Sequence, residues 1–377
     1  MRRLRRRAVA PFLGVLFLTA LAVVLLWRSP PSLPAPLAGS EPLIAAYFTQ
    51  PLIPDQPDRH RGGLDERLVA LIDQAQQTLE VAVYDFDLQN VAEAMARAAR
   101  RGVRVRMVTD TDTRENQAQP AVQRAFRLVE AAGIPIIDDR RPAIMHHKFA
   151  IIDGRLVLTG SWNFTEGDTY RLNNNAVVLR SPEVAANFQR EFEQLFSERR
   201  FGRAKRPVTP YPRVTVGTAV VETLFAPQDR VAQRLSERIR AARTTIRFLA
   251  FSFTHDGLGS AVLERHRAGV RVEGVIERVG AETPFSEYRR LKAAGVAVYL
   301  DGNPYAMHHK VFILDDRVVA FGSFNFSRNA DEENDENLLI VEDTDLARAF
   351  TEEFARVLAL ARQAEQRAAG GLVLRAR

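Results

Sequence analysis

The stretch HHKFAIIDGRLVLTGSWN at residues 146–163 returns as HHKVFILDDRVVAFGSFN at residues 308–325. His146, Lys148, Asp153, Gly160, Ser161 and Asn163 each recur 162 positions later, as His308, Lys310, Asp315, Gly322, Ser323 and Asn325. A single His-x-Lys is an ordinary pair of residues at a strand end. Two copies with polar partners at identical offsets mark an internal duplication, and the fold follows from it.

Outward from these stretches the repeat continues. Residues 64–79 have helical periodicity and lead into an apolar run, 80–87, a second helix, 91–100, and a second run, 103–110. The order returns at 231–246, 247–253, 258–268 and 270–277. Ile72, Ala75, Tyr84 and Gly102 match Ile239, Ala242, Phe251 and Gly269 at a shift of 167, so a loop before Ala294 is five residues shorter in the second copy. Strands alternating with helices predict an α/β sandwich in each half, the two related by a pseudo-two-fold axis. Residues 199–213 (RRFGRAKRPVTPYPR) carry three prolines and six basic residues and read as a solvated linker.

Within each copy, FAIID and VFILD are strand-like. His146 and Lys148 then point to one face and His147 to the other, because side chains alternate along a strand. A tight turn near Asp153-Gly154 brings residues 160–162 back opposite 146–148, so that Ser161 and Asn163 are expected near His146 and Lys148. The second half builds the same group from His308, Lys310, Ser323 and Asn325. Lysines, hydroxyls and amides suit the non-bridging oxygens of a phosphodiester. One imidazole can attack phosphorus, and the other can protonate the departing oxygen. Asp153 and Asp315 fall at the turns and read as structural. His147 and His309 face away from the lysines. Tyr84 and Phe86, matched by Phe251 and Phe253, read as sheet core.

Composition narrows the alternatives. The chain has 377 residues and no cysteine, which excludes disulfides, thiolate metal sites and a cysteine nucleophile. No cluster has metal-ligand spacing and no Gly-rich loop cradles a cofactor, so neither metal nor cofactor is expected. The net charge of +6 resides in Arg2, Arg3, Arg5, Arg6, Arg7 and Arg28, which leaves a body with 46 basic and 46 acidic residues. Such a body lacks the basic excess of a protein that binds mainly through nucleic-acid backbone. Residues 8–27 are uncharged, long enough for roughly 30 Å of helix, and preceded by five arginines. They read as a signal anchor with the body on the extracytoplasmic side, the alternative being secretion after cleavage.

The paired motifs resemble the phospholipase D superfamily, whose signature His-x-Lys-x4-Asp-x6-Gly-Ser-x-Asn both copies fit without a gap. The resemblance covers about residues 64–197 and 228–360. GSWNFT, GSFNFS and the strands after Asn175 and Asn337 are similar to the short bacterial endonuclease branch, in which two chains pair. The resemblance implies a metal-independent phosphohistidine mechanism, with His146, Lys148, His308 and Lys310 catalytic. The family often places an acid before the asparagine of the later strand, where it orients a catalytic histidine. Here the second half has Glu336-Asn337 and the first has Asn174-Asn175. The two histidines are therefore expected to be inequivalent, with the identity of the nucleophile open.

The layout expected is a cytoplasmic tail and transmembrane helix at 1–28, a Pro-rich spacer at 29–43, a first phospholipase D-like domain at 44–198, a linker at 199–222, a second domain at 223–365 and a tail at 366–377. The expected reaction is hydrolysis of a phospholipid to phosphatidic acid and a free head group. The alternatives are an endonuclease cutting DNA or RNA and a cardiolipin-synthase-like phosphatidyltransferase. The expected partners are the phospholipid or nucleic-acid substrate and the membrane. No obligate protein partner is expected, since the two halves form one site within the monomer.

Overall fold

The computed structural model describes residues 42–375. The tail and anchor at 1–28, and most of the spacer, lie outside the described residues. Among the described residues no helix is long and apolar enough to cross a membrane.

Two mixed sheets form the frame. The first contains β1 (Ile44–Phe48), β2 (Thr78–Val83), β3 (Arg104–Thr109), β4 (Ile136–Asp138), β5 (Lys148–Ile152), β6 (Leu156–Gly160) and β7 (Asn175–Arg180), in the order β1-β7-β6-β5-β2-β3-β4. The second contains β8 (Arg213–Val216), β9 (Ala219–Ala226), β10 (Thr245–Ala250), β11 (Arg271–Ile276), β12 (Ala297–Leu300), β13 (Lys310–Leu314), β14 (Val318–Gly322) and β15 (Glu336–Glu342). Its order is β12-β11-β10-β13-β14-β15-β9-β8. Read from the other end, this is the first sheet with one strand, β8, added at the edge.

The sheets are buried on both faces, which is why β5, β6, β13 and β14 are buried at every position and, apart from Lys148, Thr159 and Lys310, carry no polar side chain. Helices Leu64–Gln74, Gln89–Arg100 and Pro120–Ala131 cover the outer face of the first sheet, and their counterparts cover the second. A central core draws on both halves at once. Phe149, Phe188 and Phe192 of the first half share it with Phe225, Phe321 and Phe350 of the second. One apolar core spanning the seam makes the halves a single folding unit, since neither can hide that surface alone.

The first helix of each half is shorter than its periodicity implies, and the cause is local. Asp153, in the β5–β6 turn, accepts from the amides of Gln76 (3.0 Å), Gln77 (2.7 Å) and Thr78 (3.0 Å). Asp315 does the same for Arg243, Thr244 and Thr245. These amides are thereby taken from the helix, and the chain turns extended at Ala75 and Ala242. Asp153 and Asp315 occupy the left-handed region (φ 52° and 53°), which aspartate tolerates better than most residues. Asp153→Ala strands three amides and is expected to destabilise the fold by about 1–3 kcal/mol, read as a shift in the urea midpoint with unchanged slope.

Two boundaries differ from the sequence reading. The segment 199–222 is not all linker, because Arg213–Val216 and Ala219–Ala226 are strands of the second sheet. β9 pairs along its length with β15, and the prolines at 207, 210 and 212 precede the strands rather than interrupt them. The tail at 366–377 is also not separate, because the last helix runs Thr344–Arg375. The residues across the supposed boundary, RQAEQRAA, are strong helix formers and give it no reason to stop.

Candidate functional site

The two motif segments meet at the seam by exchanging backbone. His146 donates its amide to the carbonyl of Asp335 (3.0 Å), and Asp335 donates to Ile144 (3.0 Å). On the mirrored side, His308 donates to Asn173 (2.9 Å) and Asn173 to Ala306 (3.1 Å). Each histidine is therefore registered against the strand entry of the opposite half.

This register decides the imidazole partners. Nδ1 of His146 lies 2.8 Å from both carboxylate oxygens of Glu336. Nδ1 of His308 lies 2.9 Å from Oδ1 of Asn174 and 3.2 Å from Oδ1 of Asp168. Holding Nδ1 leaves Nε2 of each ring as the atom available for chemistry. The histidines retain 5% and 6% of their surface while both lysines are fully buried, so a ligand reaches the imidazoles first.

The lysines are fixed in matching ways. Nζ of Lys148 donates to the carbonyl of His146, and Nζ of Lys310 to that of His308, each at 2.7 Å. Each ammonium also lies over an aromatic ring, Lys148 over Tyr84 at 5.2 Å and Lys310 over Phe251 at 4.7 Å. The same rings meet the histidines edge-on, at 5.0 Å for Tyr84–His146 and 4.5 Å for Phe251–His308. Only Phe86 and Phe253 of the aromatic stripe belong to the core. Tyr84 and Phe251 wall the site, one residue past the ends of β2 and β10.

The hairpins close as expected, with Phe149 opposite Thr159 and Val311 opposite Phe321, but the serine hydroxyls are turned to other partners. Ser161 Oγ donates to Asn174 Oδ1 (2.8 Å), and Ser323 Oγ donates to Glu336 Oε2 (2.6 Å). Both hydroxyls are used to fix the groups that hold the histidines. The cause is the neighbouring strand: Gly160 pairs with Ala176 and Gly322 with Leu338, which sets each serine against the entry to β7 or β15. The preceding glycine is required there, because a Cβ at Gly160 would lie 2.3 Å from the carbonyl of Asn175. Asn163 Nδ2 donates to Asp168 Oδ1 (3.2 Å). The side-chain oxygens of Asn163 and Asn325 are buried without a hydrogen-bond partner.

His147 and His309 point away and pin the halves together. His147 lies 3.0 Å from Glu191 and 3.4 Å from Asn337 across the seam. His309 lies 2.9 Å from Glu353 and 2.8 Å from Asn175 across the seam.

Two lysines, two imidazoles and the carboxyl groups of Glu336 and Asp168 are buried together at the seam. Burial, then Lys148 and Lys310, hold the His146 imidazole well below its ordinary range. Burial and Lys310 pull His308 down to about 3, against the opposing effect of Asp168. Both lysines thus act on both histidines, which places the four groups in one electrostatic neighbourhood. Burial lowers Lys148 to about 8, and burial with the nearby Lys148 lowers Lys310 well below its usual value. Burial lifts Glu336 to about 7. An anion entering here replaces lost solvation for two ammonium groups at once, and it raises the affinity of both imidazoles for protons.

Asp168 escaped the sequence reading. It sits in the short helix Glu166–Tyr170, and its counterpart at the 162 shift is Ala330, so the repeat comparison offered no acid there. The visible signal was a charged residue at a position where the other copy has alanine.

The family described as "Cardiolipin synthase, PLD-like domain" matches residues 68–196 and again 235–358. The chain is similar to the mitochondrial cardiolipin hydrolase of Xenopus tropicalis, with 33% identity over 165 residues covering 44% of this chain and 74% of that protein. It is similar also to the mitochondrial cardiolipin hydrolase of Chlamydomonas reinhardtii, with 36% identity over 130 residues covering 34% of this chain and 56% of that protein. These matches span from about half to three-quarters of those relatives' lengths. Among solved structures, phosphatidylserine synthase of Haemophilus influenzae Rd KW20 shares the fold at a TM-score of 0.59 and 13% identity, over 80% of this chain and 86% of that one.

Proposed function

Because this chain belongs to the phospholipase D superfamily, whose PLD-like domain it carries twice, we propose that it hydrolyses a phospholipid phosphodiester to phosphatidic acid and a free head group. The observation that supports the proposal is the wiring across the seam, which holds two imidazoles by different partners while both lysines bear on each of them.

In this reading Lys148 and Lys310 hold the non-bridging oxygens, assisted by the amides of Asn163 and Asn325. Nε2 of His146 attacks phosphorus, and the bond from phosphorus to the head-group oxygen breaks. Protonated His308 gives its proton to that oxygen. The phosphorylated imidazole is cationic, and Glu336, with both oxygens at 2.8 Å, is placed to stabilise it. Neutral His308 then takes a proton from water, the resulting hydroxide attacks phosphorus, and the bond to His146 breaks. Ser161 and Ser323 serve by fixing Asn174 and Glu336.

The rim of the site favours lipid. β11 lies parallel to β10 in register, so the segment after Ile276 emerges beside Phe251. A Cβ at Gly280 would lie 2.9 Å from the Phe251 carbonyl, which shows how closely this segment adjoins the His308 wall. It carries Val279 and Phe285, 73% and 78% exposed. The corresponding segment of the first half, TDTRENQAQ at 111–119, is polar. An apolar rim beside a phosphodiester site suits an acyl-chain surface. An anchor at 8–27 would hold the body near a bilayer, on its extracytoplasmic side.

A panel of phospholipid vesicles, DNA and RNA tests the reading. Release of head group from vesicles is the expected result, and cleavage of nucleic acid alone would overturn it. Transfer of the phosphatidyl group to an added alcohol in preference to water would make the chain a transferase using the same residues. Introducing Val279→Asp and Phe285→Asp together is expected to lower turnover on vesicles by about tenfold or more, given the worth of burying a large apolar side chain. Turnover of a soluble phosphodiester should not change.

A further inference from the structure

The two halves hold their histidines with different acids from different positions. In the second half the acid is Glu336, and position 330 is a buried alanine. In the first half position 174 is an amide, and the acid is at position 168, with Asp168 Oδ1 3.2 Å from His308 Nδ1. We propose that Asp168 is the displaced counterpart of Glu336, a positioning residue that lets His308 carry the proton it must deliver.

A purely structural role for Asp168 is the competing account, and the repeat answers it. Thr165 caps the helix Glu166–Tyr170 by accepting from the Asp168 amide. In the other half Ser327 caps Arg328–Glu332 by accepting from the Ala330 amide. The second turn forms with no carboxylate, so the first does not require one. Asp168 is buried, which by itself raises its carboxyl, but the hydrogen bond and charge of His308 together with hydrogen bonds from Asn163 and Thr165 outweigh that burial and hold the carboxyl below the ordinary range. Asp168 also accepts from the Asn163 amide and side chain and from Thr165, but a neutral acceptor could take such bonds, whereas a buried ionised carboxylate is costly unless it compensates a charge that appears at its neighbour.

Asn174 alone cannot do this. Its oxygen accepts the Nδ1 proton of His308 and fixes the ring, but an amide does not offset a positive charge. Lys310 and Lys148 bear on His308 from the second and first halves and oppose its protonation. Asp168 is the charge on the other side of that balance. The geometry also shows why the acid could move: Asn174 Nδ2 donates to Asp168 Oδ1 at 3.1 Å, so the amide and the displaced acid form one unit.

The inference rests on the two-histidine reading, and its test separates the two. The full-length protein would be compared with Asp168→Asn, Asp168→Ala and the double variant Asp168→Ala/Asn174→Glu, which transplants the arrangement of the second half. Ser161 already donates to position 174 as Ser323 does to 336, so the new glutamate has a partner waiting. Asp168→Asn is expected to lower kcat at neutral pH by about tenfold with little change in KM, and to move the falling alkaline limb of the kcat profile to lower pH by about one unit. The double variant should recover kcat to within about threefold and return the limb. NMR titration of the His308 imidazole with inorganic phosphate bound supplies a readout independent of turnover, and His308 should titrate lower in Asp168→Asn. Unchanged titration and kcat in folded Asp168→Asn would overturn the proposal. So would a folded double variant no better than Asp168→Ala. Should the wild type fail to turn over any phosphodiester while the His308 titration still shifts, the proposed function falls and the role of Asp168 stands.

Discussion

Replacing either His146 or His308 with alanine is expected to lower kcat on a phosphodiester by about 10^4-fold, and replacing both should cost no more than replacing one. In the proposed mechanism both imidazoles serve the same phosphorus, His146 as nucleophile and His308 as acid and then base, so removing either stops the cycle. The two losses should differ in kind. With a p-nitrophenyl phosphodiester, whose leaving group needs little protonation, His308→Ala should still release a burst of nitrophenolate and then stall. The missing step is deprotonation of water, so the phosphoryl group should remain on His146 and be recoverable by mass spectrometry at low temperature. His146→Ala should show no burst. Phosphate found on His308, or near-full activity in either variant, would refute the assignment. Two independent sites would instead leave about half of the activity in each single variant.

Lys205→Ala is expected to destabilise the protein by about 3–5 kcal/mol, a large share of the stability of any domain. Lys205 is fully buried. Its ammonium pairs with Glu191 of the first half and, at 2.8 Å, with Asp335 of the second, and donates to the Ala226 carbonyl at the end of β9. Removing it leaves two carboxylates beside one another in the interior. Asp335 keeps Arg141, but Glu191 keeps only the imidazole of His147 and the amides of Gln194 and Gln228. Denaturant unfolding followed by tryptophan fluorescence reads the loss directly. The same contact has a pH signature. Burial raises the Glu191 carboxyl, but Lys205 and His147 outweigh that and bring it down to about 2. A carboxyl lowered on folding stabilises the protein above its unfolded value and loses that contribution as pH falls. Wild-type stability should therefore decline between about pH 4.5 and 2 more steeply than that of the variant.

Lys205 also marks where sequence reasoning ran out. Six basic residues among prolines look alike on paper, and a charge run is usually solvated. Only the fold reveals that one of them enters the seam while Arg203 remains at the surface. The histidines and lysines were legible because duplication gave two independent readings of the same offsets. Local spacing placed Ser161 and Ser323 on the right hairpins, opposite the His-x-Lys strands, but did not show that their hydroxyls are spent on Asn174 and Glu336 at the entry of the next strand. The backbone exchange at the seam, Met145 with Asp335 and Asn173 with Met307, could not be inferred from local spacing. Asp168 was hidden for a related reason. The comparison of Asn174 with Glu336 pointed correctly to an asymmetry, but the compensating acid lay six residues earlier, where the alignment of the copies shows only aspartate against alanine.

The exchanged contacts at the seam carry one more consequence. Neither half can steady its own imidazole, because the group that does so is supplied by its sibling. Tethering both siblings on one polypeptide makes their meeting certain at any dilution. Output per molecule should accordingly stay constant down to the lowest enzyme concentrations at which product can be counted.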